Sequence, residues 1–307
     1  MIGETNTRAL TLEDSAILAH ALTGWIASSA GVRALAIKGP VAEHYQLRDP
    51  WVSADADILV EPSRFQVFCR ELEARGWRQR VARPTPSILE SHSTTYIHPD
   101  WPCDIDVHNS FPGFFEDPSV VFDELWCKRG TMVVANVAIT IPSRPASAAI
   151  GALHALRNLS VPRHQRELAF VTRAIVEAFT DGERSEFLEL ARRGRSLWVL
   201  TDIIEIIAPG GTRVDVTPEQ MRVWVTNLKY GADGSAVGWL MAASVGSLRQ
   251  RVATLAAAIW VPRDQIPRND PAVVPTRRDA WAHQLIRWRR GARALGRYLA
   301  GQARRGS

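Results

Sequence analysis

The hydrophobic and polar positions at the start of the chain alternate between helical and extended spacing. Residues 12–30 place their apolar side chains at helical intervals, and Thr11 with Asp14 suits a cap at the start of that helix. Residues 32–39 favour a short buried strand that ends at a glycine. Pro40 is tolerated in the first turn of a helix, so the pattern predicts a strand, a turn and a helix in succession.

The same alternation continues to residue 141. The pattern predicts a strand at 56–62, an amphipathic helix at 63–77, strands around 94–98 and 103–109, a helix near 118–127 and one strand at 131–141. After Pro142 the segments favour helices. The chain is therefore predicted to have an α+β fold, in which a domain with a small mixed sheet spans residues 1–142 and a mostly helical domain spans residues 143–307.

The last predicted helix, from Asp279 to Ala300, is both amphipathic and basic. Its apolar positions form one stripe, which we expect to pack on the other helices: Trp281, Leu285, Trp288, Ala292, Leu295 and Leu299. Residues 271–307 hold nine arginines and one acid, a formal charge of +8 within a chain total of +5. Such a face also suits an RNA acceptor or an acidic partner, or, least favoured, a membrane surface.

The composition is that of a globular protein, with 46% apolar and 22% charged residues. The three cysteines, Cys69, Cys103 and Cys127, lack metal-ligand spacing, which predicts a reducing compartment and no disulfide framework. The first residues lack a basic stretch followed by an apolar core, and no segment is long enough to span a bilayer. We therefore predict a cytoplasmic protein without a membrane partner.

Two aspartates stand at the start of the predicted strand at 56–62, one just before it and one within it. Asp55 and Asp57 stand directly before an apolar run, where carboxylates are unusual. Residues i and i+2 of a strand point to the same side, so these carboxylates repel each other unless a cation lies between them. Mg²⁺ prefers such hard oxygen ligands and is often held by one or two carboxylates together with substrate phosphates.

A second strand repeats this arrangement. Asp104, Asp106 and His108 share one face of the strand at 103–109, and a third carboxylate joins the metal site if the two strands are neighbours. Gly39 allows backbone N–H groups to approach a phosphate, and Lys38 adds a compact positive charge. Two metal ions held by three carboxylates suit the binding of a triphosphate and the activation of a hydroxyl group.

A zinc site is the alternative reading of this region. His92, His98, Asp104, Asp106 and His108 lie close together in the sequence, and zinc accepts both histidine and aspartate. These residues lack a recurring ligand spacing, and a zinc site would leave Asp55 and Asp57 unexplained. The sequence contains neither a P-loop nor a Gly-x-Ser-x-Gly motif. The magnesium interpretation is therefore preferred.

The motifs "IKG" at 37–39, Arg48, "DADILV" at 55–60 and "DVH" at 106–108 resemble the uncharacterised nucleotidyltransferase family of the DNA polymerase β-like superfamily. The resemblance extends to "ALHALRN" in the helical half and to the proline-containing "LAAAIWVPRDQIPR". It implies a polymerase β-like nucleotidyltransferase domain followed by helices. This sequence departs from the superfamily at Pro40, where a serine or glycine commonly stands, so a serine contact to phosphate is lost.

Carried over to this chain, the resemblance implies roles for seven residues. The metal ligands and catalytic carboxylates would be Asp55, Asp57 and Asp106, and the nucleotide-binding residues would be Lys38, Gly39, Arg48 and His108. The implied reaction is Mg²⁺-dependent, or Mn²⁺-dependent, transfer of a nucleoside monophosphate from a nucleoside triphosphate such as ATP to a hydroxyl or phosphate group.

The resemblance leaves the acceptor open among a peptide, as in lasso-peptide tailoring, a small molecule and tRNA. The alternative from another class is a catalytically silent nucleotide- or RNA-binding module of the same fold. The retained carboxylates favour the enzyme.

Overall fold

The computed structural model describes residues 10–81, 85–86, 92–233, 236–244, 247–268 and 273–303. The chain divides into two compact units. The first unit comprises Met1–Gln79, Ser93–Phe111 and Asp117–Ile150, and the second comprises Arg80–His92, Pro112–Glu116 and Gly151–Ser307. The first unit contains a mixed sheet with helices and the second is helical, so the chain has the predicted α+β fold.

The first unit begins with a helix and alternates between helices and strands. Its elements are α1 (Leu12–Ser29), β1 (Ala34–Ile37), α2 (Gly39–His44), β2 (Asp55–Val60), α3 (Phe65–Glu73), β3 (Arg78–Gln79), β4 (Ser93–His98), β5 (Trp101–His108), α4 (Pro118–Cys127), β6 (Gly130–Val134) and β7 (Val137–Ile141). The predicted cap of α1 is present, since the Thr11 side chain accepts a hydrogen bond from the Asp14 N–H. A further helix, α5 (Arg144–Leu156), continues into the second unit.

Five strands form the main sheet in the order β1-β2-β5-β4-β3. Strands β2 and β5 run parallel, whereas the other three pairs are antiparallel. A parallel pair needs a long crossover connection, and the chain between β2 and β5 supplies it with α3, β3 and β4. This crossover makes the two acidic strands neighbours at the centre of the sheet.

One face of the sheet packs into the core. Ala56, Ile58 and Val60 of β2 lie on this face with Ile105 and Val107 of β5, and all are at most 2% exposed. They pack with side chains of α1, α3 and the β6–β7 hairpin. Each large aliphatic side chain buried in this way stabilises the fold by about 1.5–3 kcal/mol. Because strand side chains alternate, the carboxylates of β2 and β5 must point to the opposite face.

The single strand predicted at 131–141 is wrong, because the structure has the two strands β6 and β7 there. They pair as a hairpin with Val134 opposite Val137. The two residues between them, Ala135 and Asn136, have φ values of 46° and 62°. Two left-handed residues in succession make the tight turn that matches strand twist, but the usual Asn-Gly signal is missing from this sequence.

The second unit continues with seven helices after α5 in the described part of the chain. They are α6 (Pro162–Ala178), α7 (Asp181–Arg193), α8 (Thr201–Ile207), α9 (Pro218–Asp233), α10 (Ala236–Ala243), α11 (Leu248–Ile259) and α12 (Arg277–Ala303). Helix α7 begins with a capping box between Thr180 and Glu183. Among the residues described, no helix has the length and apolar character needed to cross a bilayer.

The predicted orientation of α12 is wrong. The stripe expected to pack inward is largely exposed, with Trp281 at 53% and Leu285 at 48%, whereas Ala280 and Gln284 are buried. Hydrogen bonds explain the difference. Gln284 donates to the carbonyl of Val261, and Trp288, a member of the predicted stripe, donates from the edge of the buried face to the carbonyl of Ile259. These bonds satisfy carbonyl groups at and just beyond the end of α11 and turn the polar Gln284 inward. Arg304 and Arg305 lie outside the described residues.

Candidate active site

The parallel pairing of β2 with β5 brings four carboxylates to one face of the sheet. Asp55 stands opposite Asp104, and Asp57 stands opposite Asp106. Partners on adjacent strands lie about 5 Å apart, and residues two apart on one strand point to the same side. The two acidic motifs therefore form one carboxylate cluster, which we define as Asp55, Asp57, Asp104 and Asp106.

Asp57 is the most buried member, at 4% exposed. Lys38 Nζ lies 2.6 Å from Asp57 Oδ1, and His108 Nε2 lies 2.8 Å from the same oxygen. Burial alone would raise the pKa of this carboxyl group, but the charge of Lys38 and the hydrogen bond from His108 outweigh it and lower the pKa. Asp57 is therefore a fixed negative charge at the centre of the cluster.

Asp55 behaves in the opposite way. The pKa of Asp55 is raised from 3.8 to about 7, chiefly by burial and then by the negative charges of Asp57 and Asp106. The single positive charge of Lys38 does not compensate for the whole cluster. A carboxyl group whose pKa is raised beside other carboxylates fits the neighbourhood of a divalent cation, which would neutralise the repulsion.

Asp57, Asp106 and His108 offer ligand atoms that lie within 4.8 Å of one another. The hydroxyl group of Thr95, on the neighbouring strand β4, donates to Asp106 and orients it. Two carboxylates and an imidazole are suitable ligands for a divalent metal ion. The oxygen atoms of Asp57 and Asp106 are the hard ligands that Mg²⁺ prefers, whereas His108, whose Nε2 bonds Asp57, orients that carboxylate. Asp55, the third predicted ligand, is not a member of this group.

The turn between β1 and α2 has an unusual backbone. Lys38 has φ 58° and ψ −150°, a region that is essentially limited to glycine, and Gly39 has φ 38°. A side-chain carbon at Gly39 would lie 3.1 Å from Ser53 Oγ. Such strain persists only where the surrounding structure imposes it, and it concentrates at functional sites. Here it directs the Lys38 side chain toward Asp57.

His20 is a residue of this site that the sequence reasoning missed. It comes from α1, is 1% exposed, and neither ring nitrogen has a hydrogen-bond partner among the described residues. A side-chain carbon at Gly39 would lie 3.3 Å from its Nε2 atom. Burial lowers the pKa of His20 to about 4, so the ring is neutral at pH 7. The available signal was a histidine within the apolar run "AILAHAL".

Arg48 lies in the loop after α2 and bonds residues of that region, outside the carboxylate cluster. Its guanidinium contacts the carboxylate of Glu43, the carbonyl of Trp51 and, at 3.3 Å, the hydroxyl group of Ser53. These bonds hold Ser53 against the Gly39 turn. The structure therefore places Arg48 at the edge of the site, where it organises the loop.

Among the described residues, the histidines and aspartates proposed as an alternative zinc site between residues 92 and 108 do not come together as one ligand group. The group that contains Asp106 and His108 takes Asp57 as its third member. His98 lies at the far end of β4, where its ring packs 5.4 Å from Trp77 and its Nδ1 accepts a hydrogen bond from the Asp100 N–H. Strand pairing, which the sequence does not show directly, decides which acidic residues meet.

The sequence matches no protein-family model and no curated protein. Solved structures similar to this chain include the antibiotic-resistance factor ANT(2'')-Ia, 12% identical over 61% of this chain and 94% of that one, with a TM-score of 0.38. A nucleotidyltransferase-like protein from Paracoccidioides brasiliensis is 9% identical over 63% and 93%, with a TM-score of 0.37. A tRNA nucleotidyltransferase is 13% identical over 76% and 79%, with a TM-score of 0.26. These scores are low, so the function proposed below rests on the site itself.

Proposed function

We propose that the protein is a nucleotidyltransferase that moves a nucleoside monophosphate from a nucleoside triphosphate to an acceptor hydroxyl or phosphate group. The observation that carries the proposal is the parallel register of β2 and β5, which sets Asp57 beside Asp106 and Asp55 beside Asp104. We assign the chemistry to the domain predicted at residues 1–142.

Asp55, Asp57 and Asp106 would hold Mg²⁺, with Mn²⁺ as the alternative ion. When bound, the metal supplies positive charge to the triphosphate and to the acceptor oxygen. His108 fixes the orientation of Asp57 through the 2.8 Å contact, and Thr95 does the same for Asp106. These neighbours position the ligands before a substrate arrives.

The triphosphate would lie beside the Lys38–Gly39 turn. Gly39 has no side chain to block a phosphate group, and Lys38 brings a positive charge on a side chain that is 18% exposed. The buried face of His20 adjoins the same turn. Arg48 contributes by holding the loop that carries Ser53.

The proposed step is a substitution at the α-phosphorus. The acceptor oxygen forms a bond to this phosphorus, the bond from the phosphorus to the bridging oxygen breaks, and pyrophosphate leaves with that electron pair. The proton of an acceptor hydroxyl passes to a carboxylate of the cluster. Asp106 is assigned this role because its side chain is less buried than that of Asp57.

The experiment is a calorimetric titration of ATP, GTP, CTP and UTP in the presence of Mg²⁺. Wild type is compared with Asp55→Asn/Asp57→Asn, and Asp100→Asn is the control because Asp100 is an exposed aspartate in the turn between β4 and β5. We expect wild type and the control to bind one triphosphate in a metal-dependent way, and the double variant to lose this binding. The preferred triphosphate is then incubated with peptide, small-molecule and tRNA acceptors, and pyrophosphate release is measured.

A catalytically silent nucleotide- or RNA-binding module is the second candidate. The ion pair between Lys38 and Asp57 favours it, since a lysine already compensates the central carboxylate. Nucleotide binding that needs no metal and survives in the double variant would support this module. Metal-dependent pyrophosphate release would exclude it.

A further inference from the structure

We propose that His154, His164 and Glu167 form a binding site for one Zn²⁺ ion in the second unit. His154 comes from α5, whereas His164 and Glu167 come from α6. Each offers one ligand atom, and these atoms lie within 4.8 Å of one another. All three side chains are partly exposed, so an ion can reach them. The site shares no residue with the carboxylate cluster and does not depend on the proposed nucleotidyl transfer.

A backbone carbonyl selects the tautomer of the neutral His164 ring. Its Nδ1 atom lies 3.1 Å from the carbonyl oxygen of Asn158. A carbonyl only accepts hydrogen bonds, so Nδ1 carries the proton and Nε2 keeps its lone pair. A histidine that ligates a metal nearly always donates its other ring N–H in this way. The turn that carries Asn158 therefore prepares Nε2 of His164 for a cation.

Glu167 is prepared by its place on the helix. It follows His164 by three residues, so the two side chains share one face of α6. Arg163 donates to Oε1 of Glu167 at 2.7 Å, which leaves Oε2 for a metal ion. The rings of His154 and His164 have centroids 5.0 Å apart and meet edge to face.

The ligand types select the ion. Two imidazoles and one carboxylate suit zinc, which takes nitrogen and oxygen ligands at about 2.0–2.2 Å, whereas Mg²⁺ and Ca²⁺ favour oxygen alone. In a tetrahedral site such bonds place neighbouring ligand atoms about 3.3 Å apart. The ligand atoms of the three residues lie at most 4.8 Å apart without an ion. A water molecule completes the fourth position, as in other sites with three protein ligands.

A bound ion would cross-link the helices α5 and α6. Residues 157–161 make the turn between α5 and α6, and a shared ion would tie the end of the first helix to the start of the second. An ion that binds the folded chain raises its thermal stability by mass action.

The test measures Zn²⁺ binding by competition with a chromophoric chelator, in millimolar Mg²⁺ so that the carboxylate cluster is occupied by the competing ion. Wild type is compared with His164→Gln, Glu167→Gln and Glu177→Gln, where Glu177 is an exposed glutamate of the same helix. We expect one Zn²⁺ per wild-type chain, at least about tenfold weaker binding in the first two variants, and no change in the third. Co²⁺ in place of Zn²⁺ should give visible absorption with wild type, but not with His164→Gln or Glu167→Gln.

Asp57→Asn separates the two sites. If it abolishes Zn²⁺ binding while Glu167→Gln does not, the ion binds the carboxylate cluster and the proposal is overturned. Equal affinity in all of the proteins also overturns it. Thermal unfolding gives a readout that does not involve catalysis: zinc should raise the Tm of wild type and Glu177→Gln by at least about 3 °C, and should raise that of Glu167→Gln clearly less at the same concentration. Glu167→Gln keeps the test valid even if His164→Gln fails to fold.

Discussion

Lys38 and His108 contact the same oxygen, Oδ1, of Asp57. The lysine Nζ lies 2.6 Å away and the histidine Nε2 lies 2.8 Å away. This convergence leaves Oδ2 of Asp57 for a ligand and holds the carboxylate in one orientation. In the metal-free protein, the buried charge of Asp57 therefore depends on Lys38.

We expect Lys38→Met to lower the free energy of unfolding by about 3 kcal/mol in the presence of a chelator. The variant removes one partner of a buried ion pair and leaves an uncompensated carboxylate, which costs more than the pair itself contributes. Urea unfolding measures the change. Lys128→Met is the control, because Lys128 is exposed at the end of α4.

The double variant Lys38→Met/Asp57→Asn tests the cause. Removing both charges should restore part of the lost stability, since no buried carboxylate remains to be solvated. If the double variant is as unstable as the sum of the two single variants, the ion pair is not the source of the loss.

The pKa of Asp55 predicts a pH-dependent stability difference between wild type and Asp55→Asn. In the folded chain this pKa is about 7, above its ordinary value of 3.8. Between these values the folded chain keeps a proton that the unfolded chain has lost, so stability falls as pH rises and the loss is complete above pH 7. Asp55→Asn should thus match wild type near pH 4 and be more stable by roughly 2–4 kcal/mol at pH 8.

Chemical unfolding at both pH values, with chelator, checks this prediction. Comparing variant with wild type cancels the opposite pH dependence of His20, whose lowered pKa makes acid destabilising. A stability difference that stays constant from pH 4 to pH 8 would show that Asp55 ionises normally in the folded protein. Added Mg²⁺ should shrink the difference at pH 8, because it compensates the wild-type charge.

Alanine substitutions at two glycines with positive φ values distinguish the cost of backbone strain from the cost of crowding at the site. A side-chain carbon at Gly31 (φ 61°) meets no atom within 4 Å, whereas at Gly39 (φ 38°) it would lie 3.1 Å from Ser53 Oγ. Gly31→Ala should cost about 1 kcal/mol through backbone strain alone. Gly39→Ala should cost about 2 kcal/mol and also weaken triphosphate binding, because Ser53 and His20 must move.

Thermal unfolding and the nucleotide titration measure the two effects. Weaker nucleotide binding in Gly31→Ala as well would mean that lowered stability, rather than crowding at the turn, explains the loss. Unchanged binding in Gly39→Ala would remove the turn from the site.

The β6–β7 hairpin offers a stabilising change. Ala135 adopts φ 46° without the freedom of glycine, at a cost of about 1 kcal/mol. Ala135→Gly should therefore raise the free energy of unfolding by roughly 0.5–1 kcal/mol, after part of the gain is lost to the entropy of the unfolded chain. Denaturant titration decides this, and a destabilised Ala135→Gly would show that the methyl group contributes packing that outweighs the strain.

Local pattern predicted much of the first unit from the sequence. The strand at Asp55–Val60 and the helix at Leu12–Ser29 have strong periodicity and clear boundaries, and both occur close to their predicted bounds. The hairpin was missed because its turn uses Ala135–Asn136, whose left-handed conformations cannot be recognised from residue type alone.

For the candidate site too, local features could be predicted from the sequence and long-range contacts could not. The motif spacing predicted that Asp55 and Asp57 share a face, which depends only on local strand geometry. Their pairing with Asp104 and Asp106 was conditional on strand order. His20 was not predicted as a site residue because it reaches the site from a helix that precedes both acidic strands. The orientation of α12 was misjudged because Gln284, which lies outside the hydrophobic stripe, is buried and donates a hydrogen bond to the carbonyl of Val261.

The alternation along β2 and β5 has a consequence for how this protein evolves. The same two strands carry the hydrophobic core on one face and the carboxylate cluster on the other. Replacing an aspartate leaves the core face intact, so the carboxylate cluster can change while the fold is kept. Inserting one residue in β5 would instead exchange the two faces and bury Asp104 and Asp106 in the core. Natural variants of this sheet should therefore tolerate substitutions at the aspartates far more readily than insertions or deletions between them.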